Sequence, residues 1–122
     1  MINRHRVLII DDNRRVVDQL LERFTRDGYE AEIALSAPVG LSIVEARHMD
    51  VAVLNADLGH ESDWQLVKRL KKSAPDLRVV LFNAEKLKGL SREARRAGVA
   101  RFLSTPSDLD VVLAEVKKVM RN

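Results

Sequence analysis

Short apolar runs alternate with amphipathic stretches along this chain. Arg6–Ile10 (RVLII), Asp50–Leu54 (DVAVL), Arg78–Phe82 (RVVLF) and Ala100–Leu103 (ARFL) are runs of strand length. Runs rich in Val, Ile and Leu without a polar face suit strands covered on both sides, as in a parallel sheet. Tyr29–Leu35 (YEAEIAL) alternates instead and predicts a strand covered less completely. Between these runs the period changes to that of a helix. Arg14–Arg26 puts Val16, Val17, Leu20, Leu21 and Phe24 on one face, and Gly28 supplies a stop beyond it. Ser36 can cap a second helix that tolerates Pro38 in its first turn, although Gly40 costs that helix about 1 kcal/mol relative to Ala. Ser62 and Gln65 form a capping box ahead of Leu66, Val67 and Leu70. Ser91 opens a short helix ending at Gly98, after a loop-like AEKLKGL. Ser107 or Asp108 opens the last helix, whose stripe is Leu109, Val112, Leu113, Val116 and Met120.

Five strands and five helices in strict alternation predict an α/β fold. Right-handed crossovers turn such a series into a doubly wound five-stranded parallel sheet with helices on both faces. The 122 residues suit one domain, residues 1–122. A chain of this size buries roughly two-thirds of its unfolded surface, so it needs no staple.

Composition narrows the chemistry. There is no cysteine, which excludes a disulfide framework, a thiolate zinc site and a thiol nucleophile. His5, His48 and His60 are too scattered to suggest a metal cluster. Lys and Arg number 21 against 18 Asp and Glu, a net charge of +3. That mild excess permits nucleic acid or acidic partners but argues for neither. The apolar runs are far shorter than the roughly 20 residues that span a bilayer. The chain therefore reads as soluble and cytoplasmic.

In doubly wound sheets the functional site lies beyond the carboxyl ends of the strands. Asp11 and Asp12 follow the first strand, Asn55, Ala56 and Asp57 the third, Asn83 and Ala84 the fourth, and Ser104, Thr105 and Pro106 the fifth. Adjacent carboxylates repel unless a cation or a helix N-terminus offsets them, and hard oxygen ligands suit Mg²⁺. Asp12 also suits the cap of the helix that follows.

Together these segments resemble the receiver domain of two-component response regulators. VLIIDDN resembles the acidic opening of that family, and DVAVLNADLGHES its third strand and the loop after it. GVARFLSTPSDLDVVLAEV resembles its closing strand, Lys-Pro turn and last helix. The resemblance covers essentially the whole chain and implies the strand order 2-1-3-4-5. It also implies phosphoryl transfer to a carboxylate at the end of the third strand. Mg²⁺ would be held by the acidic pair and by a backbone carbonyl two residues past the acceptor. A Thr or Ser and a Lys would hold the phosphoryl oxygens.

Carried over residue by residue, the set is incomplete. Asp11 and Asp12 match the metal-binding acids, and Asp57 the residue whose backbone carbonyl meets the metal. Asn55 stands at the phosphoacceptor position, Asn83 at the Thr/Ser position and Thr105 at the Lys position. Phe102 matches the switch aromatic. An amide is not a nucleophile at neutral pH, and a Thr hydroxyl cannot replace the Lys cation that pairs with phosphoryl oxygens. Losing the acceptor charge and its countercharge together leaves the net charge of the pocket unchanged. The expected function is a degenerate receiver without catalytic residues, not an enzyme, that acts by phosphorylation-independent protein–protein contact. Mg²⁺ binding is expected to be weak.

Two alternatives remain. Asp57 could serve as acceptor in a receiver that is still phosphorylated. A Mg²⁺-dependent phosphatase or phosphotransferase could use the acid after the first strand, but that chemistry favours Asp-x-Asp and the chain reads Asp11-Asp12-Asn13. A signalling kinase or effector is the expected partner, at the face made by the fourth helix, fifth strand and fifth helix. Lys88, Arg92 and Arg96 are the candidate contacts there. Neither a membrane nor nucleic acid is expected as a partner: no helix-turn-helix signature or aromatic interleaving is present.

Overall fold

The apolar runs form β1 (Arg6–Ile10), β2 (Glu30–Ala34), β3 (Val51–Asn55), β4 (Arg78–Phe82) and β5 (Val99–Phe102). The amphipathic stretches form α1 (Arg14–Arg26), α2 (Ala37–Ala46), α3 (Asp63–Ser73), α4 (Ser91–Ala97) and α5 (Leu109–Arg121). The structure is a computed structural model that describes residues 5–56, 63–83, 91–103 and 108–121. All strand pairs are parallel, and the order is β2-β1-β3-β4-β5.

Side chains alternate across a strand with period two, so each central strand feeds two cores. Leu8, Ile10, Ala52 and Leu54 join one cluster with residues of α2, α3 and α4. Val7, Ile9, Val51 and Val53 join the other, with Val17, Leu20 and Phe24 of α1 and Val112, Leu113 and Val116 of α5. This double coverage explains the unbroken apolar runs of β1 and β3, which are buried throughout apart from Arg6. β2 is an edge strand, buried fully only at Ala34, as its alternating sequence predicts.

Several boundaries move. β3 begins and ends one residue later than the apolar run suggests, which makes Asn55 its last residue. β5 begins and ends one residue earlier, and β2 loses one residue at each end. The cap of α1 is Asn13, not Asp12: its side-chain oxygen accepts from the N–H groups of Arg15 and Val16 at 3.1 and 3.3 Å. Ser36 caps α2 as expected. Asp108 caps α5 by accepting from the N–H of Val111 at 3.0 Å. Gly28 and Gly98 end α1 and α4 with φ of 91° and 98°, where a side chain would be strained. Ser62, Ser107 and the AEKLKGL segment lie outside the described residues. Among the described residues no helix is long and apolar enough to cross a membrane.

Candidate functional site

β1 and β3 are neighbours, so the residues that end them meet. Ile9 pairs with Val53 in register. Asp11 and Asn55 each lie two residues further on, and period two brings both to the same side of the sheet. Asn55 Nδ2 donates to Asp11 Oδ1 at 3.0 Å. The backbone N–H of Asn13 donates to the same oxygen at 3.0 Å. Asp11 is itself anchored, because its N–H donates to the Ala34 carbonyl at 3.1 Å. Its side chain is fully buried and Asn55 nearly so.

The second oxygen of Asp11, Oδ2, is buried without a hydrogen-bond partner among the described residues. Burial raises the Asp11 carboxyl above its ordinary value, against the lowering effect of the Asn13 N–H and the Asn55 amide, and the neighbouring Asp12 adds repulsion. Asp12 is exposed beside it. A carboxylate with one oxygen satisfied and the other bare, next to an exposed second acid, is a donor set that can accept a hard cation. Among the described residues, no three His, Cys, Asp or Glu residues group as a metal site. Among the described residues the acidic side chains at this strand end are thus the pair Asp11 and Asp12.

Asn83 follows β4, whose Phe82 pairs with Asn55. It is exposed and left-handed at φ 56°, a conformation that Asn tolerates better than most residues. Phe102, at the end of β5, is half-buried against the core shared with α2, α3 and α4. Arg92 and Arg96 are exposed on α4. Asp57, Thr105 and Lys88 lie outside the described residues. The structure thus brings Asp11 and Asn55 into contact, sets Asp12 beside them, and puts Asn83 at the next strand end.

Asp50 lies at the other end of the sheet, before β3. It accepts from the Arg6 N–H at 2.7 Å and sits 3.0 Å from Nε2 of His48. Burial pushes its carboxyl up, but these two partners outweigh burial and hold it below its ordinary value. One site residue escapes the sequence reading. Asn13 both caps α1 and holds Asp11, and the signal was its place directly before an amphipathic run.

Comparison with known proteins decides the family. The response regulator receiver domain profile matches residues 7–117. The chain belongs to that family. This receiver is 25% identical over 115 residues to sporulation initiation phosphotransferase F of Bacillus subtilis, covering 94% of this chain and 93% of that protein. It is 24% identical over 114 residues to the heme response regulator HssR of Staphylococcus saprophyticus, covering 93% of this chain. There the receiver spans only 50% of the relative's length. A CheY-like response regulator receiver domain protein from Methanospirillum hungatei shares the fold, with a TM-score of 0.86 at 23% identity over 98% of this chain and 96% of that one.

Proposed function

We propose that this receiver is a degenerate signalling module that works without phosphorylation. The observation that carries the reading is the Asn55 amide at the end of β3, hydrogen-bonded to Asp11 at 3.0 Å. A side chain there that donates through nitrogen offers no carboxylate to form an acyl phosphate. Thr105, at the position of the family Lys, supplies no cation for phosphoryl oxygens. The same amide gives the buried Asp11 carboxylate a donor where a third acid would repel it.

Asp11 and Asp12, with the backbone carbonyl of Asp57, would hold Mg²⁺, and the bare Oδ2 of Asp11 supports that assignment. A bound ion would supply positive charge for the acidic pair. Binding is weak, because Mg²⁺ sheds water reluctantly and one anionic ligand is missing. In this reading residues 1–122 form one non-catalytic unit in the cytoplasm. Asn83 and Thr105 stand in sequence at the family's phosphoryl-binding positions, and Phe102 keeps the switch position without a trigger. A protein partner, a kinase or an effector, meets the face of α4, β5 and α5 through Lys88, Arg92 and Arg96.

Incubation with acetyl phosphate and Mg²⁺, read by intact mass, tests the reading. The protein is expected to stay unmodified. A stable gain of one phosphoryl group, mapped to Asp57 or Asp11, would overturn it.

A further inference from the structure

Among the described residues the exposed cations divide by their partners. On the side of α1 and α5, Arg26 pairs with Glu22 at 2.8 Å, Arg101 with Glu115 at 3.1 Å and Lys118 with Glu115 at 3.4 Å. Arg23 meets Asp110 and Lys117 meets Asp27. The side of α3 and α4 differs. Lys68 and Lys72 on α3, and Arg92, Arg95 and Arg96 on α4, are exposed and make no ion pair or hydrogen bond among the described residues. Glu93 is the acidic residue of α4, and the described side chains of α3 include none. Among the described residues the exposed cations without an ion pair therefore gather mainly on this face, with Arg15 and Arg121 the exceptions elsewhere.

That face is built as a unit. Lys71 of α3 donates from Nζ to the carbonyls of Pro75 and Leu77, each at 2.7 Å. Its methylenes lie against Gly98 at the end of α4, where an added Cβ would come within 3.1 Å of them. This fixes the end of α3 against the end of α4. Lys68 and Lys72 are one helical turn apart, as are Arg92 and Arg96, so each helix presents a short row of cations. Unpaired like charges within a Debye length of about 8 Å repel, and an anionic surface laid across both rows relieves that repulsion.

We propose that the α3–α4 face docks an acidic segment of a partner protein through Lys68, Lys72, Arg92, Arg95 and Arg96. The proposal rests on the reading of this chain as a protein-interaction module, and it centres the contact on α3 and α4 rather than on α5. The cations of α5 and β5 named above are spent on Glu115 of α5 and on Asp27 just past α1. Glu93 favours a partner of mixed charge over a polyphosphate, which would meet that carboxylate with like charge. The sequence carries no helix-turn-helix signature that would point to duplex DNA instead.

A short glutamate-rich helical peptide, titrated into the ¹⁵N-labelled chain, is the probe, with duplex DNA as a second arm. Amide shifts are expected along α3 and α4. The pairs K68E/K72E and R92E/R96E should each weaken the peptide by about tenfold or more. The control R15E/R121E makes the same change in net charge at exposed positions elsewhere and should leave affinity nearly unchanged. Unchanged thermal melting of each pair checks folding, with the alanine pairs as substitutes. Equal weakening by R15E/R121E, or duplex DNA outcompeting the peptide at physiological salt, would overturn the proposal. Neither result bears on phosphorylation, so the degenerate-site reading stands or falls separately.

Discussion

At Asp11, among the described residues, one carboxylate oxygen accepts twice and the other not at all. This imbalance makes Asn55 the most informative residue to change. Asn55→Asp removes the Nδ2 donor and sets a second carboxylate against a buried one. Loss of the bond and the new repulsion should cost about 1–3 kcal/mol without metal. Mg²⁺ should restore part of that, so the melting temperature of the variant should rise with Mg²⁺ more than that of the parent. Equal stability of the two in chelator would show that the amide does not hold Asp11. Asn13→Ala should cost about 1 kcal/mol in urea unfolding, since it leaves the Arg15 and Val16 N–H groups without their acceptor. Asp50 gives a pH signature at the far end of the sheet. Its carboxyl titrates below its ordinary value of 3.8 in the folded state, so the unfolded chain takes up the proton first as pH falls. Its contribution is thus present above pH 3.8 and is lost as pH falls through the lower folded value. The stability gap between parent and Asp50→Asn should be open near neutrality and close in acid. A gap that widens in acid would contradict the assigned partners.

Single elements show what the sequence could reveal. β1, β3 and β4 were legible because burial on both faces writes itself as an unbroken apolar run. That Asp11 and Asn55 end their strands was legible from the apolar runs, but the hydrogen bond between them was not. Asn13 as a cap was not chosen over Asp12, because both residue types cap helices and only the geometry decides between them. Gly40 was read as a weakness of α2, and the structure gives its reason. A Cβ there would lie 2.8 Å from Cδ1 and 3.1 Å from Cγ1 of the fully buried Ile10. The glycine lets α2 approach β1, a contact across sequence that no local pattern reports. Gly40→Ala would gain about 1 kcal/mol of helix propensity and lose about 1–3 kcal/mol to overpacking. A net loss is expected in thermal unfolding. A net gain would mean that Ile10 yields freely. The pairing of surface charges was equally hidden, since Arg23 reaches Asp110 and Lys117 reaches Asp27 across most of the chain length.

For the whole molecule the question is whether the fold still switches. A ligand biases two states only by its difference in affinity for them. Beryllofluoride mimics a phosphoryl group on a carboxylate, and Asn55 presents an amide at that place. With Mg²⁺ present, it should leave the amide shifts around Phe102 unchanged in the parent protein. Asn55→Asp supplies the carboxylate but leaves Thr105 without a cation for the fluoride atoms, so the response should remain small. Adding Thr105→Lys should enlarge it, and the effect of the two changes together should exceed the sum of each alone, as expected for groups that hold one ligand. Shifts spreading from the strand ends to Phe102 and into α4 would then show that the route from site to surface survives without its trigger. Shifts in the unmodified protein would show that the pocket still takes a phosphoryl mimic, and the degenerate reading would fall.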